Sequence, residues 1–430
     1  MRAFDRSGYV REAAVRELGS APRPDAIRVL LVRANDWVPE VRAAAAAALL
    51  AHLRDDFLPA WATALEAFAA LRNAGRVDRS TVLAPIDAFL VAPQRLERLV
   101  AVTRAAPVET RRIVAALRRS ATTEPAALAR LLAEDAASSD IVTALRAARA
   151  GAGLGDPALR DEVERAALGS PHAAVRRAAV ADALARRHAE RGARAVLIAR
   201  FAFDPSGAVR AHVLGAADAV ERRAIADASR WRLDAPPPSA LAADDRARAI
   251  ALHNLIALDE DEAAERCAAS LAAAGPSLRA VAFAGAWPRA DAARREALLL
   301  QAFADPALRV QRWAARAVVR DGLVPAWREL LALVVRSPAP QRALAVRRAL
   351  GRASPWWRLA FELALGEAAG AYEPRLLAEW CFDADRSYVA PPAGERAELA
   401  AAWQRAAPRL DPALARAVGT RLARHGVMAD

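Results

Sequence analysis

Lysine is missing from this chain: all 62 of its basic residues are arginine. That alone rules out the phosphate loop Gly-x-x-x-x-Gly-Lys, whose lysine reaches the nucleotide phosphates. Cysteine is nearly missing as well. Cys267 and Cys381 cannot build a disulfide framework and form no Cys-x-x-Cys pair, so a reducing compartment is expected. Aromatic residues make up 5% of the chain, too few for a core of rings. Long apolar runs are missing too. The longest, from Val41 to Ala51, carries Arg42 and falls well short of the ~20 residues that span a bilayer. The opening MRAFDRSGYV has no apolar segment of the kind that makes a signal peptide. A cytoplasmic protein with no membrane segment is the expectation.

What fills the space is alanine, 119 of 430 residues. It is the best helix former and the smallest side chain that can line a helix contact, so an all-α protein is predicted. With Asn and Ile scarce, the arginine-for-lysine usage also fits a GC-rich genome. The net charge of +12 is therefore spread along a long chain and is partly compositional.

The stretch DWVPEVRAAAAAAL, from Asp36, has relatives elsewhere. DRSGYVREAAVREL starts at Asp5, SPHAAVRRAAVADAL at Ser170, DPSGAVRAHVLGAA at Asp204 and DPALRVQRWAARAV at Asp305. In each, an Asp or Ser lies five residues before a valine, and Arg or Gln follows that valine. Weaker copies surround Arg248, Arg279 and Arg342. Neighbouring positions of that Arg or Gln are separated by 31, 34, 38, 31, 32 and 31 residues, while the gap of 134 from Arg42 to Arg176 has Arg111 at its midpoint. A period of this size marks a stack of helix pairs. Asp or Ser is expected to cap the helix, Pro to suit its first turn, and Val with the alanines to form an apolar stripe. Small side chains then let neighbouring axes approach to the low end of the ~8–10 Å range.

This pattern resembles the HEAT-like repeats, including those of the phycobilisome lyases. The resemblance runs from Asp5 to about Arg424 and implies a right-handed α-solenoid of about a dozen helix pairs. It also implies that the second helices line a concave face. The repeated residues Asp5, Arg11, Asp36, Arg42, Arg176, Asp204, Arg210 and Asp305 would then form a structural ladder between units. Three parts are expected: 1–150 with degenerate repeats, 151–352 with regular ones, and 353–430 as an irregular helical cap. The breaks behind this division are ARAGAGLGDPALR (148–160), RLDAPPPSALAADD (232–245) and CFDADRSYVAPPAGER (381–396). Asp5 stands so near the start that the first unit reads as half a repeat.

Catalytic signals are lacking. The six histidines show no ligand spacing, although His172, His212 and His253 fall near equivalent helix starts. The glycines of Gly151-Ala-Gly153-Leu-Gly155 follow no strand, so the run reads as a turn. Asp259 to Glu262 reads as a solvated acidic loop. No cofactor and no metal is expected, and no enzyme activity. Basic patches remain at 176–200 and 336–358. The second holds Arg348, Arg352 and Arg358 around Trp356 and Trp357, and these five are the candidate binding residues. Arginine beside an aromatic ring suits protein hot spots and also nucleic-acid backbones. The expected function is a scaffold holding a protein partner. The alternative is a nucleic-acid binder like the HEAT-like glycosylases of alkylation repair, with surplus arginines on the concave helices and Trp and Asp between them. A chromophore lyase is a third reading, with no tetrapyrrole site to support it.

Overall fold

The computed structural model describes residues 2–235, 241–386, 390–391 and 393–428. Within them run twenty-five α-helices and no strand, joined by tight turns and short 3-10 segments. The chain forms two compact units, Met1–Ala216 and Ala217–Asp430. The breaks expected at 150 and 352 lie inside these units. The first is bridged by Ile141–Ala152 packing on Pro157–Leu168, the second by Pro340–Ala353 packing on Pro355–Ala369. The triproline stretch, 236–238, and part of the 381–396 segment lie outside the described residues.

In the first unit, the alanine-rich helix Pro39–Ala51 packs on Gly8–Ser20 to one side and on Ile27–Arg33 to the other. Val41, Ala45, Ala48 and Leu49 are its buried stripe. Contact with Gly8–Ser20 is so close that a methyl built on Gly19 would stand 3.0 Å from the Ala48 methyl. Alternate helices pack on each other as well as on their chain neighbours, as the pairs Ile141–Ala152 with Ala173–Arg186 and Pro125–Ala136 with Pro157–Leu168 show. Two rows of helices result, with the apolar core between them. The few rings fill it where alanine cannot: Trp61 stands edge-on to Phe68 at 6.4 Å in the first unit.

In the second unit one row contains Pro276–Ala286, Leu308–Asp321 and Pro340–Ala353, each packed on the next. The other row contains Trp327–Arg336 and Pro355–Ala369. A core of Trp356, Leu359, Trp380, Leu399 and Trp403 closes the C-terminal end.

The repeated Asp does not cap its helix as expected. It sits two residues before the N-cap and accepts the backbone N–H two residues on: Asp36 from Val38 at 3.0 Å, Asp305 from Ala307 at 2.7 Å, Asp5 from Ser7 at 2.8 Å. This closes an Asx-type turn. From that post Asp36 and Asp305 also face the preceding unit, as Asp140 does from the N-cap of Ile141–Ala152.

There it meets an arginine. Arg11 is the fourth residue of its helix, where side chains lean back over the N-terminal turn. Its Nη1 donates to the carbonyls of Asp5 and Arg6, while Nε and Nη2 grip Asp36 at 3.0 and 2.9 Å. Arg176 repeats this with Ser170, Pro171 and Asp204, and Arg279 with Ala273, Ala274 and Asp305. Arg42 and Arg210 donate to the same two carbonyls of their own turns, Asp36 and Trp37 for one, Asp204 and Pro205 for the other. Gln311, too short for both tasks, reaches the Asp305 carbonyl. Within the degenerate region the bridge is made by Arg112, not Arg111, and it grips Asp140 at 2.9 and 2.6 Å. Sequence spacing missed this rung because it starts from the fifth residue of Val108–Ala121.

Candidate binding groove

The row of helices in the second unit is not closed all along. Leu308–Asp321 packs on Pro340–Ala353, but Pro340–Ala353 and Pro374–Ala384 make no comparable contact. Between them opens a groove of about 1420 Å³, with the start of Pro355–Ala369 as its floor.

Helical periodicity decides which residues face it. Arg312, Arg316 and Arg320 stand four residues apart on Leu308–Asp321, and Arg348 and Arg352 do so on Pro340–Ala353. Such residues share one helix face, ~6 Å apart along the axis. Between them the groove exposes aliphatic surface, Val319 at 54% and Leu344 at 46%.

Several of the lining arginines are neutralised by acids outside their own stretch or beside them in the chain. Arg358 crosses the floor to Asp383 at 2.6 Å and Glu379 at 3.2 Å. Arg347 grips Glu362 at 2.7 and 3.0 Å. Burial pushes the Glu362 carboxyl above its ordinary range, against the hydrogen bond and charge of Arg347. Arg320 pairs with Asp321 at 2.7 Å, and the guanidinium of Arg386 lies 4.0 Å over the Phe382 ring. Arg312, Arg316, Arg348 and Arg352 are exposed, and among the described residues none of them forms an ion pair or side-chain hydrogen bond.

Repetition supplies an internal control for composition. Matching helices from their first residues, the positions of Arg312 and Arg316 hold Ala280 and Ala284 on Pro276–Ala286, and Ala43 and Ala47 on Pro39–Ala51. Ala173–Arg186 holds Arg177 and Ala181 there and Gly8–Ser20 holds Glu12 and Arg16, so arginine recurs singly at these positions, and of these five helices Leu308–Asp321 carries it at both.

Of the five candidate residues, Arg348, Arg352 and Arg358 line the groove and the two tryptophans do not. Trp356 is 1% exposed and packed edge-on to Trp380 at 5.6 Å, so it is core. Trp357 is half-buried and donates its indole N–H to Glu395 at 3.0 Å. The first turn of Pro355–Ala369 thus carries one residue of each kind: core, clasp and floor. Sequence reasoning also missed Arg312, Arg316, Val319 and Leu344, whose common face emerges only when two successive repeats are aligned.

The other candidate features resolve into structure. In the 176–200 patch, Arg186 and Arg187 are held by Asp161, Glu164 and Asp182. The run Asp259 to Glu262 is clamped, with Arg289 on Asp259 and Arg230 on both Glu260 and Glu262. His172 meets the Ser138 carbonyl at 3.1 Å. Among the described residues no three His, Cys, Asp or Glu side chains converge as metal ligands would, and no helix is long and apolar enough to cross a membrane.

No protein-family model matches the chain, and no curated protein does. Among solved structures, a chain from a complex described as Kap95p binding to RanGDP in nuclear import is similar over 98% of this chain and 66% of its own length. The identity is 12% and the TM-score 0.39. At that score the likeness carries no argument about function or partner. The all-helical repeat architecture stands on the geometry above.

Proposed function

We propose that this chain is a non-enzymatic helical-repeat scaffold of HEAT-like type, a right-handed solenoid of about a dozen helix pairs, that holds a protein partner in the groove of its second unit. The ladder bridges support the HEAT-like reading, since the same arginine-to-aspartate clasp joins successive units at Arg11, Arg112, Arg176 and Arg279. The observation that carries the binding reading is the cluster of Arg312, Arg316, Arg348 and Arg352. These are four exposed charges that form no ion pair or side-chain hydrogen bond among the described residues, gathered on the facing sides of two successive helices. A charged side chain that stabilises nothing within its own fold is available to an outside ligand.

The arginines alone would suit a nucleic-acid backbone equally well. The lining favours protein: it includes aliphatic side chains and no aromatic ring on which a base could stack. Direct evidence would come from a photo-crosslinking amino acid placed at Gln341, which lines the groove, and at Ala47 as the control in the first unit. Protease-sensitive adducts in cells at Gln341 and not at Ala47 are expected. Nuclease-sensitive adducts would transfer the groove to nucleic acid, and equal labelling at both positions would remove the scaffold reading.

A further inference from the structure

We infer that the groove between Leu308–Asp321 and Pro374–Ala384 is a receptor for an acidic peptide segment whose carboxylates alternate with aliphatic side chains. This rests on the scaffold reading and names the chemistry of the partner.

The argument begins with the arrangement of charge. Arg316 and Arg348 occupy the same position of two successive repeats, counted from the first residue of each helix, and so do Arg320 and Arg352. The guanidinium stems therefore stand in rows: ~6 Å between successive members along one helix, and ~8–10 Å between the two helix axes. Acidic residues four apart on a helical segment have the first of these spacings, as do those two apart on an extended one. Arginine presents a planar fork that takes a carboxylate through two parallel hydrogen bonds. With Arg320 held by Asp321, the free forks are Arg312 and Arg316 on one helix and Arg348 and Arg352 on the other, and these read a row of carboxylates.

The apolar surface supplies the second half. Val319 and Leu344 are both about half exposed and face the same space as the arginines. Burying them against a partner's Leu or Val gains hydrophobic energy that a sugar–phosphate backbone cannot provide. The groove's own acids do not oppose an anionic guest, because Asp383 and Glu379 are already held by Arg358 on the floor. The opening itself follows from the break in helix packing between Pro340–Ala353 and Pro374–Ala384, which leaves room for a segment of chain.

The test uses the full-length protein and a fluorescent peptide of about a dozen residues, built from Glu at every fourth position with Leu between, read by anisotropy. Binding that weakens as salt rises is expected. Arg316→Glu with Arg348→Glu should weaken it about ten-fold or more. Arg177→Glu, an exposed arginine of the first unit, should leave it unchanged. Val319→Asn with Leu344→Asn should weaken the Glu/Leu peptide several-fold and leave a Glu/Gln peptide unaffected. Helical circular dichroism identical to that of the parent confirms that each variant is folded. Equal affinity of parent and charge-reversed protein would overturn the inference. So would an oligothymidine that competes fully and whose own binding ignores Val319 and Leu344. Crosslinking at Gln341 keeps the two levels apart. Protein adducts without peptide affinity would retain the scaffold and discard the acidic guest. Peptide affinity without protein adducts would do the reverse.

Discussion

Arg11 and Asp36 show how one pair of side chains can serve two joints. The guanidinium closes its own turn through two backbone carbonyls and fastens the next unit through Asp36, which in turn closes the turn before Val38. Arg11 is 3% exposed and Asp36 5%, so both charges are removed from water. Asp36→Ala leaves the arginine buried without its counter-ion and should cost the first unit ~3–5 kcal/mol, measured by denaturant unfolding followed by circular dichroism. Replacing both residues by aliphatic ones should recover most of that loss. The ladder also sets an acid limit. At Asp36 and Asp204, burial pushes the carboxyl up, but the arginine hydrogen bonds, a backbone N–H and the arginine charges together hold it below 3.8, the ordinary aspartate value. A carboxyl lowered in the folded state contributes stability that is present above that ordinary value and lost as pH falls through the folded one. Asp135 runs the other way, since burial raises it despite Arg119. The melting temperature of the first unit should fall steeply below about pH 4, and Asp204→Asn should make that fall shallower. An acid limb unchanged by the substitution would separate Asp204 from it.

At the scale of the element, the decisive variable is how closely two helices approach. On Pro276–Ala286, a methyl at Gly285 would stand 2.4 Å from Ile256 Cδ1 and 2.6 Å from the Cys267 sulfur. Gly285→Ala should therefore destabilise the second unit by ~1–3 kcal/mol through overpacking. Gly215, in Gly207–Ala216, faces open space, and Gly215→Ala should stabilise the first unit by up to ~1 kcal/mol through helix propensity. The two substitutions are chemically identical, so opposite signs in unfolding experiments would isolate packing from propensity. Much of this level was legible in the sequence. Alanine content, the recurring Val-Arg and its spacing point to paired helices with close contacts, and these are present. The exact post of the aspartate was not legible, because an N-cap and a turn two residues earlier share the same local signature. The rung at Arg112 was hidden for a similar reason: one residue of drift breaks a spacing rule that a long side chain bridges easily.

For the molecule as a whole, the division at Ala216 and Ala217 has a measurable consequence. Cys267 is fully buried, and burial raises its thiol to about 11. Cys381 is buried and raised for the same reason. Neither should react with a thiol reagent in the native protein near neutral pH. Both belong to the second unit, so labelling during denaturation reports that unit alone. Asp36→Ala should shift the transition of the first unit and leave the denaturant midpoint of thiol labelling in place; a matching shift would show that the units unfold as one. The groove was only half legible at this scale. Its arginines stand out in the 336–358 stretch, but their acids come from Glu362, Glu379 and Asp383, and the tryptophans between them turn inward. A one-dimensional reading counts charge along the chain, while a ligand meets what remains after the fold has paired it.

The ladder has one more consequence, in the history of such a chain. A bridge that spans 25 residues at Arg11, 28 at Arg176 and 26 at Arg279 tolerates small insertions within a unit. Because each bridge carries its own turn-closing carbonyls, copying a whole unit in the gene copies a finished connector at both ends. Length can therefore change by duplication or deletion of complete units, while any single unit is free to carry a surface of its own, as Leu308–Asp321 does with Arg312 and Arg316 where Pro276–Ala286 has alanine.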